Sequence, residues 1–208
     1  MVSRLRRFAH SLPGWPMIRR VYRSVIGIGA TEEPWVRVVM NRKTRALISS
    51  LSPGNLEALE ISGGDWENMA FKRYKIVTYP EFDLCTDTLD ETFDLIIAEQ
   101  VFEHVLWPYK AAKNVYKMLK PGGYFLISTP FLLRVHDYPT DCSRWTEVGL
   151  QYFLAECGFS LDRIQTDSWG NRACVKANFI EWAPYRPWFH SLKNEPNFPV
   201  SVWALARK

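Results

Sequence analysis

Two histidines stand beside apolar runs, where a chain can present a titratable ring to a ligand. His104 follows FDLIIAEQ, and His136 lies in the polar loop LLRVHDYPTDCSRW that follows GYFLISTP. Imidazole titrates near neutrality, so either ring can accept a proton from a reacting hydroxyl or amine. His136 has Asp137, Asp141 and Arg144 for neighbours. Such a set is dense for a mere connector and suits the binding and orienting of a polar acceptor. His10 and His190 lie in the amino-terminal arm and a late Pro-rich stretch, and read as bystanders. His136, Asp137 and Asp141 share one loop, and that spacing fixes no ligand geometry, so no metal site is expected. Trp145, with Trp182, Trp188 and Tyr185, offers flat faces that stack on a sugar or an aromatic, although cores use the same residues more often.

These residues need a scaffold, and the hydrophobic pattern supplies one. NLEALEI, YKIVTY, FDLIIAEQ and GYFLISTP read as buried strands; FSLDRIQTDSW alternates like a half-buried one, and PVSVWALARK closes the chain as another. Between them NRKTRALISSL, a turn or two around DWENMAFK, Val101–Leu119, TEVGLQYFLAECG and NRACVKANFIEW read as helical. Pro108 splits the Val101 stretch, Pro121-Gly122-Gly123 ends it, Thr146 caps the next helix and Gly158 stops it. Strands alternating with helices predict an α/β domain with a largely parallel sheet, whose ligands sit at the carboxyl ends of the strands. The Ser62-Gly63-Gly64 turn after the first strand is one such end, where glycine lets backbone approach a ligand.

The chain has 208 residues, 47% of them hydrophobic, 23% charged and 14% aromatic, and a net charge of +4. Such a composition excludes disordered, collagenous and coiled-coil chains. No apolar run approaches the roughly 18 residues of a membrane span, and the basic amino terminus lacks the apolar core of a secretory signal. Cys85, Cys142, Cys157 and Cys174 form no CxxC pair, so a disulfide framework or zinc knuckle is not expected and a reduced, cytoplasmic setting is. Residues 1–50 carry ten Lys/Arg against Glu32 and Glu33, whereas 51–208 are net negative. We therefore expect a basic helical arm over 1–50, a catalytic domain over 51–208, and a Pro- and aromatic-rich covering loop over 181–199. The arm can meet an anionic membrane surface peripherally; it carries no nucleic-acid motif, and no nucleic-acid partner is expected.

Across roughly residues 55–160 the sequence resembles the class I S-adenosylmethionine-dependent methyltransferases. FDLIIAEQVFEHV resembles the family's fourth-strand motif with its Glu-His, and MLKPGGYFLISTP its turn into the fifth strand. HDYPTDCSRWTEVGLQYFLAECGF resembles a subgroup, among the type 11-like enzymes, associated with surface-glycan biosynthesis. The resemblance implies a Rossmann-like, doubly wound, mostly parallel sheet of the seven-strand type, shortened around strands 2–3, with an antiparallel final strand. It implies S-adenosylmethionine as cofactor, S-adenosylhomocysteine as product, and methylation of a small-molecule or glycan acceptor, at oxygen.

The same resemblance places Glu60, Ser62, Gly63 and Gly64 in the glycine-rich motif near the methionine part of the cofactor. Ser62 and Trp66 stand where the family has its outer glycines. Thr78 and Tyr79 hold the positions that normally offer a carboxylate to the ribose, with Glu81 just beyond. Asp83 and Leu84 match the adenine motif, and Glu99 and Gln100 the pocket near the sulfonium. Glu60 and Glu99 also read as ordinary strand-end charges. Two other classes compete: a methyltransferase-like protein that binds without catalysis, and a nicotinamide-dependent oxidoreductase. The latter would want the G-x-G-x-x-G run that LEISGGDW lacks.

Overall fold

The apolar runs become one sheet. The computed structural model describes residues 31, 33–136 and 139–208. Helix α1 (Val38–Ser50) precedes strands β1 (Glu57–Ile61), β2 (Arg73–Val77) and β3 (Phe93–Glu99). Helix α2 (Pro108–Met118) leads into β4 (Leu119–Pro130), then come α3 (Glu147–Glu156), β5 (Ile164–Trp169), α4 (Arg172–Ala177) and β6 (Ser201–Arg207). The sheet order is β2-β1-β3-β4-β6-β5. The first four strands of that order run parallel, and β6 lies antiparallel between β4 and β5. The α/β class and the antiparallel final strand are as expected.

Six strands form, where a seven-strand type was expected to be shortened. Between β2 and β3 the acidic segment 78–92 makes turns in place of a helix and strand. There Asp83 accepts the Cys85 N–H at 2.9 Å, and Asp87 accepts the Asp83 N–H at 2.8 Å. Short acidic side chains that bond nearby backbone compete with helix and ladder alike. DWENMAFK forms only a single 3₁₀ turn, Glu67–Met69, so the link from β1 to β2 carries no full helix.

Pro121-Gly122-Gly123 also differs from its expected helix-ending role. It lies inside β4, where the pairing with β3 shifts register between Phe93 and Leu95. A Cβ at Gly123 would stand 3.0–3.2 Å from the carbonyl oxygens of Lys120, Phe93 and Asp94, so this crowded bulge needs glycine. Thr146 caps α3 as expected, its hydroxyl accepting the Gly149 N–H at 3.0 Å. Pro108 takes the first position of α2, after a separate 3₁₀ turn at Phe102–His104.

One sheet face packs Ile96, Ala98, Phe125 and Ile127 against Ala112 and Val115 of α2 and Phe153 and Leu154 of α3. The other face packs Ala58, Leu95, Ile97 and Leu126 against Ile48 of α1 and the buried Trp66, while Val38 and Met40 join Trp203 and Trp169. The chain from Glu33 to Ser50 is thus a layer of the packed domain, and the expected boundary at residue 50 does not mark an edge of the core. Residues 1–30 lie outside the described residues. From 178 to 200 no helix or strand forms apart from a lone Pro184–Pro34 bridge. Among the described residues no helix is long and apolar enough to cross a membrane.

Candidate active site

The turn after β1 is organised from within by Glu60. Its buried carboxylate accepts the backbone N–H groups of Gly64 (2.8 Å), Asp65 (3.3 Å) and Trp66 (3.3 Å), and the Tyr74 hydroxyl donates to it as well. A Cβ on Gly63 would lie 1.9 Å from Glu60 Oε1, so the carboxylate fills the space a side chain would need. Ser62 has φ of 53° and Gly64 of 148°, and the two glycines face solvent at the carboxyl end of the strand. Burial first, then the bond to Glu60, push the Tyr74 phenol above its usual range, keeping it a neutral donor. Trp66 is fully buried and donates its indole N–H to Glu99 at 3.2 Å, beneath the Arg45 guanidinium.

At the end of β2, Thr78 and Tyr79 are exposed, and Asp83 holds its own turn while Leu84 enters the core. At the end of β3, Glu99 sits between Trp66 and Arg37, whose guanidinium approaches to 3.6 Å. Burial pushes its carboxyl above the usual range against the pull of Arg37. Gln100 has a φ of 55°, uncommon outside glycine, and its amide lies 3.4 Å from Ser128 Oγ and 3.5 Å from Met40 Sδ.

The two histidines meet. Their rings are 5.1 Å apart, edge to face. The loop after β4 folds back onto the Phe102–His104 turn to bring this about: Cys142 N–H donates to the Glu103 carbonyl at 2.7 Å, and Thr140 Oγ1 to the His104 carbonyl at 2.9 Å. His104 Nδ1 donates to the Thr140 carbonyl. Asp141 accepts the His136 N–H at 2.9 Å, receives both Arg144 terminal nitrogens, and lies 3.4 Å from His136 Nδ1. Burial lowers the His136 pKa against the pull of Asp141, which favours the neutral ring. Trp182 borders His136 at 5.5 Å and carries Arg134 over its face.

Sequence reasoning missed Glu103, although the Glu-His motif named it. It is 1% exposed, its Oε2 has no hydrogen-bond partner, and burial pushes its carboxyl up to about 7. Thus the structure brings His104, His136, Asp141 and Arg144 together around Glu103. Trp145 instead leans on Phe153 at the core, and Asp137 lies outside the described residues.

The sequence profile of a methyltransferase domain matches residues 10–166. The chain belongs to this methyltransferase family. None of the curated proteins matches it. Among solved structures, the methyltransferase is similar to an S-adenosylmethionine-dependent methyltransferase from Mesorhizobium loti, with 16% identity, a TM-score of 0.54, and 78% of this chain and 96% of that one covered. It is also similar to the N-methyltransferase NodS of Bradyrhizobium japonicum, solved with S-adenosyl-L-homocysteine, with 16% identity, a TM-score of 0.50, and coverage of 89% and 97%. At such identities these two likenesses establish the shared fold.

S-adenosylmethionine is the cofactor of this methyltransferase. Gly64 has only Ile76 Cδ1, at 3.9 Å, near the position of a Cβ, so backbone there is open to a ligand. Exposed Tyr79 and the Asp83 turn stand at the neighbouring strand end. The Gly64, Asp65 and Trp66 amides are bonded to Glu60, and only a 3₁₀ turn follows, so the α-helix-terminal amides common at such turns are not on offer.

Proposed function

We propose that the methyltransferase acts on a hydroxyl of a small-molecule or glycan acceptor, with the acceptor entering between the Phe102–His104 turn and the loop after β4. Bound S-adenosylmethionine supplies an electrophilic methyl group on a sulfonium, which needs little beyond an acceptor held in line. A hydroxyl, unlike a neutral amine, is a poor nucleophile until its proton is on the way out. The observation that carries this reading is the buried, partnerless Glu103 oxygen beside His104 and His136. That cluster favours removal of a proton, burial shifting His136 toward its neutral form while Asp141 accepts its backbone N–H. Arg144 balances the Asp141 charge and leaves the histidine pair as the acceptor-facing groups.

On the cofactor side, Ser62, Gly63 and Gly64 would lie along the methionine part, Thr78 and Tyr79 beside the ribose, and Asp83 and Leu84 beside the adenine. Glu60 acts through the turn it holds. Glu99 and Gln100 sit at the β3 end, their side chains occupied by Trp66, Arg37 and Ser128. On the acceptor side Asp137 is kept as a contact and Trp182 is added, Asp141 and Arg144 act on His136 from behind, and Trp145 braces the loop against Phe153. The subgroup likeness of the 136–159 segment supports a surface-glycan acceptor, and the basic arm a cytoplasmic enzyme working against an anionic membrane surface.

The test is calorimetric titration of the full chain with S-adenosylmethionine and S-adenosylhomocysteine, followed by an acceptor screen of sugars, phenols and amines read by S-adenosylhomocysteine release. Micromolar cofactor binding with turnover on hydroxyl acceptors only is expected. Turnover on amines alone would overturn the oxygen assignment. Cofactor binding that persists without turnover on any acceptor would favour a protein that binds without catalysis.

A further inference from the structure

Glu103 and His104 present two acceptors to each other across a gap too wide for a hydrogen bond. The Thr140 carbonyl can only accept, so His104 carries its proton on Nδ1 and turns a bare lone pair on Nε2 inward. That nitrogen lies 3.7 Å from Glu103 Oε1. Two lone pairs at that distance are unfavourable unless a proton or a metal cation lies between them. The other Glu103 oxygen is buried and has no partner at all. A buried carboxylate in that condition is costly, and such groups call for an explanation.

His136 completes the set. One ligand atom from each of Glu103, His104 and His136 lies within 4.8 Å of the other two. Ligands held about 2.0–2.2 Å from one ion stand roughly 3–4 Å apart, so modest tightening closes this triangle. The surroundings match those of metal-binding histidines, whose second ring nitrogen is fixed by a carbonyl or carboxylate. His104 has the Thr140 carbonyl in that place, and His136 Nδ1 lies 3.4 Å from both Asp141 Oδ2 and Arg144 Nη2. Asp141 itself is committed to Arg144, which keeps it outside the ligand set.

We infer that Glu103, His104 and His136 form a binding site for a divalent transition-metal ion at the acceptor end of the methyltransferase. Two imidazoles and one carboxylate suit zinc, manganese or iron, and three protein ligands leave a coordination position open. No metal was expected from the spacing of His136, Asp137 and Asp141; the site comes from the fold, which sets Glu103 and His104 against the loop. The inference deepens the proposed acceptor chemistry and rests on it for its role. A cation here holds the acceptor oxygen and eases the loss of its proton to solvent. The oxygen lone pair then forms the bond to the methyl carbon, and the carbon–sulfur pair returns to the departing thioether.

The experiment is calorimetric titration of the chelator-treated full chain with Zn(II) and Mn(II), alongside Glu103→Gln and His136→Gln, each variant checked by thermal unfolding. One equivalent of Zn(II) or Mn(II) is expected to bind the wild type at micromolar affinity or tighter, and at least tenfold more weakly in both variants. His136→Gln changes a loop side chain and keeps the test alive if Glu103→Gln does not fold. Absence of binding by both ions, or equal affinity in wild type and a folded variant, would overturn the site. Titration with S-adenosylmethionine on the same sample separates the two readings: cofactor binding without metal binding removes the cation and leaves the methyltransferase reading intact.

Discussion

At the scale of single residues, the turn after β1 is held by one side chain, and its neighbour is a glycine for that reason. Gly63→Ala would place a Cβ 1.9 Å from Glu60 Oε1 and drive the carboxylate off the three amides it accepts from. Loss of those bonds costs about 1–3 kcal/mol of stability, measured by urea unfolding. In a Glu60→Ala background the clash is gone, so the same substitution is expected to cost less than half as much, a non-additivity that identifies the coupling. Equal costs in the two backgrounds would mean that glycine is needed there for another reason. The sequence placed Glu60 and the glycine pair at a strand end, yet not their relation, because a carboxylate turning back on its own loop leaves no mark in residue spacing. Glu103 was illegible for a similar reason: its burial depends on a loop some forty positions further along the chain. His104 and His136 were legible as types, and the fold alone made them neighbours.

At the scale of elements, the two ends of the sheet do different work. The carboxyl ends of β1 and β3 carry the candidate site, and the opposite ends are tied by charge. Lys120 of β4 donates to both Glu57 and Asp94 at 3.0 Å, and Asp94 accepts the Glu57 N–H at 2.9 Å. Burial raises the Asp94 pKa, but the Glu57 amide and Lys120 outweigh it, and the net pKa is lowered. A carboxyl lowered in the folded state stabilises above its unfolded pKa, and that contribution is lost as pH falls through the folded value. Asp94→Asn should therefore flatten the loss of stability on acidification below about pH 4, the ordinary carboxyl range. Unfolding midpoints from pH 6 to pH 3 check this, and an unchanged slope would remove Asp94 from the pH response. The strands were legible because each is a short apolar run bounded by charge or turn residues. The link between β1 and β2 was not, since DWENMAFK has helix-forming residues but too little chain to make more than one turn before β2 begins.

At the scale of the whole molecule, a basic amino-terminal sequence precedes a domain that exposes aromatic side chains. The Thr31 N–H donates to the Tyr185 carbonyl at 2.7 Å, and Pro34 bridges to Pro184. Close by in sequence, Trp188 and Phe189 are 88% and 74% exposed. Residues 1–30 hold six arginines and no acidic residue. Each cation near an anionic bilayer contributes about 1 kcal/mol, and salt screens that attraction. Exposed indole rings favour the interface between headgroups and water. The full chain should therefore sediment with vesicles containing phosphatidylserine and much less with phosphatidylcholine alone. Replacing Arg4, Arg6 and Arg7 by Gln together should weaken binding at least tenfold at low salt. Trp188→Ala should weaken it in a way that high salt does not imitate, since burial of an indole ring is not electrostatic. Equal sedimentation with both vesicle types, or no response to the arginine substitutions, would leave the arm to some other task and free the acceptor from any requirement to sit at a membrane.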